Sequence, residues 1–166
     1  MTTAALICLD GYRVDSVLDA AAATLNPALA WVLFFVSDTR PTEEVEHALQ
    51  RLPGRDSGRH RAEARIRHVV KWSEEDVRAA VTAWLNAADY PAELVVRRGR
   101  PEQEILRLAE ERSVSLIALG GGRGLPGRYP GPGPAPLSPV ARYVVDHALC
   151  DVLLLRRYVA EQDRRA

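Results

Sequence analysis

Predicted strands alternate with stretches of helical period along this chain of 166 residues. The five predicted strands cover Ala4–Leu9, Trp31–Val36, Glu93–Arg98, Ser115–Leu119 and Val152–Leu155. The second of them is apolar at every position, as expected of a strand that helices cover on both faces. This alternation predicts an α/β fold, with an open parallel sheet built from crossover units.

The predicted helices lie between these strands, and turn residues mark most of their ends. They run from Val14 to Leu25, from Thr42 to Leu52, from Ser73 as N-cap onward, from Pro101 to Arg112, and from Ser138-Pro139 to His147. The third shows the clearest helical period, with an apolar stripe of Val77, Ala80, Val81, Trp84 and Leu85. We therefore assign Trp84 to the core in preference to a base-stacking platform.

The length and spacing of these elements predict one domain over residues 1–157 and a charged tail over 158–166. A polar connection over about 53–72 and a Pro/Gly-rich loop over 125–136 interrupt the pattern. Six arginines, one lysine and two histidines stand between positions 51 and 71, against two acidic residues. A solvated connection is favoured there, and a docking patch for an anionic partner is the alternative.

The balance of charge argues against two classes of partner. Basic and acidic residues number 22 each, so no global field favours nucleic acid or an anionic membrane. The first apolar run lacks a basic segment before it and is stopped by Asp10, which is unlike a signal peptide. The longest apolar run, Ala28–Val36, is too short to span a bilayer. Cys8 and Cys150 show no ligand spacing, so we expect free thiols and a cytoplasmic location.

Three strand ends carry the residues with the most chemical interest. Asp10 follows the first predicted strand, Val36 ends the second, and the glycine run Gly120–Gly124 follows the fourth. Ligands of open parallel sheets bind outside the carboxyl ends of the strands. A carboxylate accepts hydrogen bonds from a ribose hydroxyl or an adenine amine, and glycines let the backbone N–H groups approach phosphate. The start of the Ser138 helix adds a positive dipole end.

Three segments of the chain together resemble the universal stress protein domain. They are ALICLDG at the start, GRPEQEILRLAEERSVSLIALGGGRG in the middle and LSPVARYVVDHALCDVLLL near the end. The resemblance covers nearly the whole length. It implies a five-stranded parallel sheet in the order 3-2-1-4-5, and a homodimer paired through the last strand, Val152–Leu155.

One branch of that family binds ATP, and the resemblance carries its site to particular positions here. Asp10 and Val36 would lie near the adenosine, while Gly121, Arg123 and Gly124 would border the phosphates, with Val140 just inside the last helix. It implies ATP or another adenine nucleotide as ligand, and no metal beyond Mg²⁺ bound to that nucleotide.

The phosphate side departs from the family pattern. Ser138-Pro139 replaces the usual Gly-Ser or Gly-Thr pair, and thirteen residues separate Gly124 from Ser138 where nine are usual. Proline has no N–H to donate, and a Ser138 hydroxyl that caps the helix is not available to a phosphate. Tyr12, where the family commonly has serine, adds bulk near the same crevice. These departures predict weakened nucleotide binding.

Three functions follow from these observations, in order of preference. The first is a non-catalytic, adenine-nucleotide-responsive regulatory module in stress response. The second is a nucleotide-free homodimer that acts through protein contacts with a partner the sequence does not identify. The third is a very slow ATPase. It lacks support because the sequence has no Ser/His/Asp signature and no Walker lysine, and because the four histidines lie on different predicted elements. The loop over 125–136 is interpreted as an insertion in preference to a phosphate lid.

Overall fold

The computed structural model describes residues 4–11, 14–39, 74–120 and 137–155. These ranges contain β1 (Ala4–Leu9), α1 (Val14–Thr24), β2 (Ala30–Asp38), α2 (Glu74–Ala88), β3 (Ala92–Gly99), α3 (Pro101–Glu111), β4 (Leu116–Gly120), α4 (Pro139–His147) and β5 (Asp151–Leu155). The predicted helix over 42–52, the polar connection, the Pro/Gly-rich loop and the charged tail lie outside them, as do Tyr12 and Ser73.

The five strands form one parallel sheet in the order β3-β2-β1-β4-β5. This confirms the α/β class and the strand order that the resemblance implied. β1 occupies the centre, and all of its residues after Ala4 are buried. A strand covered on both faces in this way needs apolar side chains at every position, which is what the sequence supplies.

Two apolar layers cover the sheet. On one face, Val17 and Leu18 of α1 and Val77 of α2 pack against Ile7 and other side chains of the central strands. On the opposite face, α3 and α4 pack against the alternate set of strand side chains through the buried residues Ile105, Leu108, Ala109, Ala141 and Val144. The helices that follow β1 and β4 therefore lie on opposite faces.

Pairing between strands moves several predicted strand ends by one or two residues. β2 continues beyond Val36 because Ser37 and Asp38 pair with Arg98 and Gly99 of β3. The glycine run was predicted to follow the fourth strand from Gly120 onward, but this is wrong for Gly120, which pairs with Leu155 as the last residue of β4.

The apolar stripe of α2 packs as the helical period predicts. Val77 and Val81 are fully buried, and Ala80, Trp84 and Leu85 pack at the margin of the same core layer. The Trp84 ring stacks on Trp31 of β2 with 6.1 Å between centroids. This confirms the assignment of Trp84 to the core.

A set of ion pairs joins α3 to the edge strand β3. The Arg97 guanidinium contacts both Glu111 and Glu104, with its Nη1 3.2 Å from Glu111 Oε1, and Arg112 Nη2 lies 2.9 Å from Glu93 Oε1. The α3 backbone begins at Pro101, whose fixed φ suits the first helical position. These ion pairs hold α3 along β3, with the end of the helix beside the start of the strand.

Candidate functional site

The strand order predicts a ligand crevice at the carboxyl end of the sheet. β1 lies between β2 and β4. The helix that follows β1, α1, lies on one face of the sheet, and α4, the next described helix after β4, lies on the other face. Where neighbouring parallel strands connect to opposite faces, their connections diverge and leave room for a ligand. The candidate site is therefore the region beyond the ends of β1 and β4.

Asp10 and Val36 come together at this end of the sheet. The register pairs Leu9 with Phe35, so Asp10 and Val36 follow at the same level on neighbouring strands. Val36 is half-buried and packs at the margin of the layer formed with α3 and α4, whereas Asp10 is exposed. Gly11 follows with φ of 81°, a left-handed conformation that glycine adopts without strain.

The phosphate side of the predicted site is described only at its two borders. β4 ends at Gly120, and α4 begins after Ser138, which is the helix N-cap. The intervening Gly121, Arg123 and Gly124 lie outside the described residues, and their role as phosphate ligands stays a prediction.

The N-terminus of α4 uses its hydrogen-bonding groups internally. Ser138 Oγ accepts from the N–H of Ala141 at 3.1 Å, and Ser138 O accepts from the N–H of Arg142 at 2.9 Å. Pro139 occupies the first helical position and has no N–H. The predicted capping role of Ser138 is confirmed. Val140, in the second position, is half-buried against the core layer of α3 and α4.

These groups fit the two parts of an adenine nucleotide unequally. Asp10 and Val36 offer a carboxylate and an apolar side chain at one level of the sheet, which suits a ribose and a base. The first turn of α4 offers a phosphate fewer N–H groups than an open helix terminus does, because the cap and the proline remove two of them. The described residues therefore fit the adenosine part better than the phosphates.

The family model described as Universal stress protein family matches residues 15–156. The chain belongs to the universal stress protein family. Among curated proteins, none matches it significantly. The predicted resemblance to this family is thereby confirmed over most of the chain.

Solved structures of the same fold agree with this membership. The hypothetical protein MJ0577 superposes with a TM-score of 0.58 at 17% identity, over 95% of this chain and 98% of that one. The universal stress protein UspA from Lactobacillus plantarum gives 0.56 at 19% identity, over 93% and 98%. A universal stress protein in complex with cAMP gives 0.50 at 18% identity, over 93% and 96%. At these identities the likeness shows the fold.

Two residues of this universal stress protein near the carboxyl end of the sheet were missed in the sequence. Asp38 ends β2 opposite Gly99, and it was overlooked because the strand was expected to stop with the apolar run at Val36. Glu104, in the first turns of α3, was the second. Its carboxylate also contacts Arg97 and Arg107, and its Cγ lies 3.2 Å from the position that a Cβ on Gly99 would take. An arginine seven residues before a helical glutamate was the available signal.

The two cysteines of the universal stress protein are free thiols. Burial raises the pKa of Cys8 far above its ordinary value, and the nearby Cys150 raises it further. Burial also raises the pKa of Cys150, with Asp151 adding to the effect. Both thiols are therefore protonated at neutral pH, which lowers their reactivity as nucleophiles.

The remaining candidates for chemistry lie apart from the crevice. His147 ends α4, stacks on Tyr143 with 4.1 Å between centroids, and places Nδ1 2.9 Å from Tyr143 O. In the described part of the chain, no three His, Cys, Asp or Glu side chains are grouped closely enough to hold a metal ion. The helices described there are all too short or too polar to cross a membrane.

Proposed function

We propose that this universal stress protein binds an adenine nucleotide beyond the ends of β1 and β4, and acts as a non-catalytic regulatory module in stress response. The observation that carries the proposal is the placement of Asp10 and Val36 at one level of the sheet, beside the ends of β1 and β4, whose next described helices lie on opposite faces. The cAMP complex of a universal stress protein with the same fold supports an adenine ligand.

In this proposal Asp10 accepts a hydrogen bond from the ribose or the adenine amine, and Val36 packs against the base. Gly121, Arg123 and Gly124 border the phosphates, where glycine N–H groups and a guanidinium donate. Ser138 and Val140 form the far border of the site at α4. Mg²⁺ would enter only as a companion of the nucleotide phosphates.

The first experiment asks whether a nucleotide is bound at all. The purified protein is denatured, its supernatant is examined for adenine absorbance and nucleotide mass, and the nucleotide-free protein is then titrated with ATP and with cAMP by calorimetry. We expect binding of at least one of these ligands below millimolar concentration. The proposal is contradicted if no nucleotide co-purifies and no binding heat is detected at millimolar ligand concentration.

A pair of variants then locates the site. Asp10→Ala removes the carboxylate proposed to contact adenosine, and we expect about a tenfold or larger loss of affinity, since such a charge-assisted hydrogen bond contributes about 1.5–3 kcal/mol. Asp146→Ala is the matched control, because Asp146 is an exposed carboxylate on α4, outside the candidate site. Equal affinities of the two variants would place the ligand elsewhere.

The glycine turn is tested separately. Gly121→Val and Gly124→Val add a Cβ where close backbone approach to phosphate is proposed. We expect both variants to lose affinity for ATP while the far-ultraviolet circular dichroism stays unchanged. Unchanged affinity with an intact fold would show that these glycines serve only the backbone.

The second candidate function is a nucleotide-free homodimer that acts through protein contacts. It is supported by the location of the exposed large apolar side chains among the described residues, Tyr143, Val145 and Leu149, which are 37%, 44% and 94% exposed. All three lie on α4 or on its connection to the edge strand β5. We propose that two copies pair through β5, over Val152–Leu155, and that these side chains border the contact.

Sedimentation equilibrium at micromolar concentration tests the dimer, and we expect twice the chain mass of 18.3 kDa. Leu149→Glu should weaken the association, because it places a charge in a largely exposed position that the partner would cover. Asn86→Glu is the matched control at an exposed position of α2. A monomeric parent protein would rule out the dimer.

Two parts of the interpretation stay predictions. The free thiols of Cys8 and Cys150 suit a reducing compartment, in agreement with a cytoplasmic location. Slow ATP hydrolysis is the third alternative, and it would require a residue that activates water. A phosphate-release assay with the nucleotide-free protein, scored against a Gly121→Val control, measures it directly.

A further inference from the structure

β2 continues past the level of the proposed site, and this extension carries Asp38. Asp38 pairs with Gly99 of β3, so the strand runs two residues beyond Val36. The N–H of Thr39 also donates to Gly99 O at 3.4 Å, which ties the backbone after Asp38 to the same partner strand. The position of Asp38 is therefore fixed by strand pairing, and its side chain must follow the alternation of the strand.

That alternation decides which side of the sheet Asp38 occupies. Successive side chains of a strand point to opposite faces. The residues of β2 in the core layer with α3 and α4 are Val32, Phe34 and Val36. Asp38 continues this set, whereas Ser37 falls on the side of α1 and α2. Both residues are half-buried. Asp38 thus shares its side of the sheet with Val36, and the neighbouring Ser37 does not.

A second carboxylate lies over the β3 partner of Asp38, but arginines engage it. Glu104 of α3 places its Cγ 3.2 Å from the position that a Cβ on Gly99 would take. Its carboxylate contacts Arg107 Nη1 at 2.6 Å and Arg97 Nη1 at 3.5 Å. β3 is also one strand farther from β1 than β2 is. Asp38 is therefore the better placed of the two carboxylates for a ligand held at β1 and β2.

We propose that Asp38 accepts a hydrogen bond from the 6-amine of adenine and is a specificity-determining residue for the base. The inference rests on the proposed function and assigns the ribose to Asp10. Asp10 and Val36 lie at one level of the sheet, and Asp38 lies two residues further along β2, about 6.6 Å away, a span comparable with the length of a purine. A base that packs on Val36 with its ribose toward Asp10 brings its amine to Asp38.

The chemistry of the carboxylate suits this role. A carboxylate accepts hydrogen bonds and does not donate them, so it pairs with an exocyclic amine and opposes a carbonyl oxygen at the same place. Its two oxygens offer about four acceptor positions. Asp38 can therefore accept from the amine in addition to the contacts that it makes within the chain.

The experiment compares ATP with purine riboside triphosphate, an analogue that lacks only the 6-amine, by calorimetry with Mg²⁺ present. The two ligands carry the same phosphates, so the phosphate side of the site cancels in the ratio of their affinities. If the parent protein binds cAMP and not ATP, the corresponding cyclic pair replaces them. For the parent we expect the adenine ligand to bind about tenfold more tightly than the analogue.

Three variants locate the origin of that ratio. Asp38→Ala should bring the two affinities within about twofold of each other, because the partner of the amine is gone. Ser37→Ala is the matched control on the opposite side of β2 and should keep the parent ratio. Asp10→Ala should weaken both ligands equally and also keep the ratio. A ratio that collapses in Asp10→Ala and persists in Asp38→Ala would assign the amine to Asp10 and overturn the inference.

The remaining outcomes separate the inference from the proposed function. If no adenine ligand binds the parent protein, both fail. If the parent binds the adenine ligand and the analogue equally, or if a folded Asp38→Ala keeps the parent ratio, the inference alone is overturned. If Asp38→Ala does not fold or binds neither ligand, Asp38→Asn decides. It retains an acceptor without the charge, so we expect the ratio to fall to about threefold, and an unchanged ratio overturns the inference.

Discussion

The indole Nε1 of Trp84 donates a hydrogen bond of 2.8 Å to Asp19 Oδ1, which joins α2 to α1 across 65 positions of the chain. The same ring stacks on Trp31 of β2. Trp84 therefore links two helices and the sheet through one side chain.

Trp84→Phe removes the indole donor and part of the stacked ring. We expect the free energy of unfolding to fall by about 1–2 kcal/mol, because a hydrogen bond and apolar contact are lost together. Urea denaturation followed by circular dichroism measures it. Asp19→Asn retains an acceptor oxygen and should cost less; a larger loss in Asp19→Asn than in Trp84→Phe would contradict this account.

Gly99→Ala tests the turn that begins α3. Gly99 has φ of 147°, and an added Cβ would lie 3.2 Å from Glu104 Cγ. We expect a loss of about 1–3 kcal/mol in unfolding free energy from backbone strain and this close contact. In a double-mutant cycle, Glu104→Ala removes the side chain that the added Cβ would meet, so part of the lost unfolding free energy should be recovered. The part caused by backbone strain at residue 99 should remain. Full additivity of the two changes would show that the contact contributes nothing.

The pairing of Arg97 with Glu111 predicts a pH dependence. The hydrogen bond from Arg97 lowers the pKa of Glu111 below its ordinary value of 4.5. The unfolded chain therefore takes up this proton first, so the stabilisation is present above about pH 4.5 and is lost as pH falls through the lower pKa of the folded protein.

Glu111→Gln should accordingly make thermal stability less dependent on pH below about pH 5. Melting temperatures over that range measure the effect. The control is Glu110→Gln, which changes an exposed carboxylate one position earlier on α3. The prediction fails if both variants keep the slope of the parent protein.

The two thiols should react at different rates. Cys8 is buried in the central strand and Cys150 is half-buried before β5, and burial raises the pKa of both. With Ellman's reagent at neutral pH, we expect slow labelling of Cys150 in the folded protein and labelling of Cys8 only after unfolding. Cys150→Ser should abolish labelling of the folded protein; a persistent signal in that variant would mean that Cys8 is accessible.

The order of strands and helices could be predicted from the sequence because the buried strands are apolar on both faces. The helix stripe containing Val77 and Val81 was equally clear. Strand ends were less accurate, since pairing with a neighbour extends β2 to Asp38 and takes Gly120 into β4. Partners on other strands, and not the local sequence, decide those positions.

The candidate site could be predicted only in part. The capping role of Ser138 followed from its place before Pro139, and the level shared by Asp10 and Val36 followed from parallel pairing. The contact of Glu104 with Arg97 depends on how α3 packs over β3, which periodicity does not specify. Side-chain contacts between separate elements are set by tertiary packing.

The central position of β1 has a consequence for synthesis on the ribosome. β1 pairs with β2 soon after both strands emerge, but its other edge pairs with β4, and the Ser115 hydroxyl bonds to Ala4 O across 111 positions. An apolar strand with an open edge must therefore persist until β4 has been translated. Chaperones that bind short apolar segments would encounter β1 during that interval, so β1 completes its hydrogen bonds well after its own synthesis.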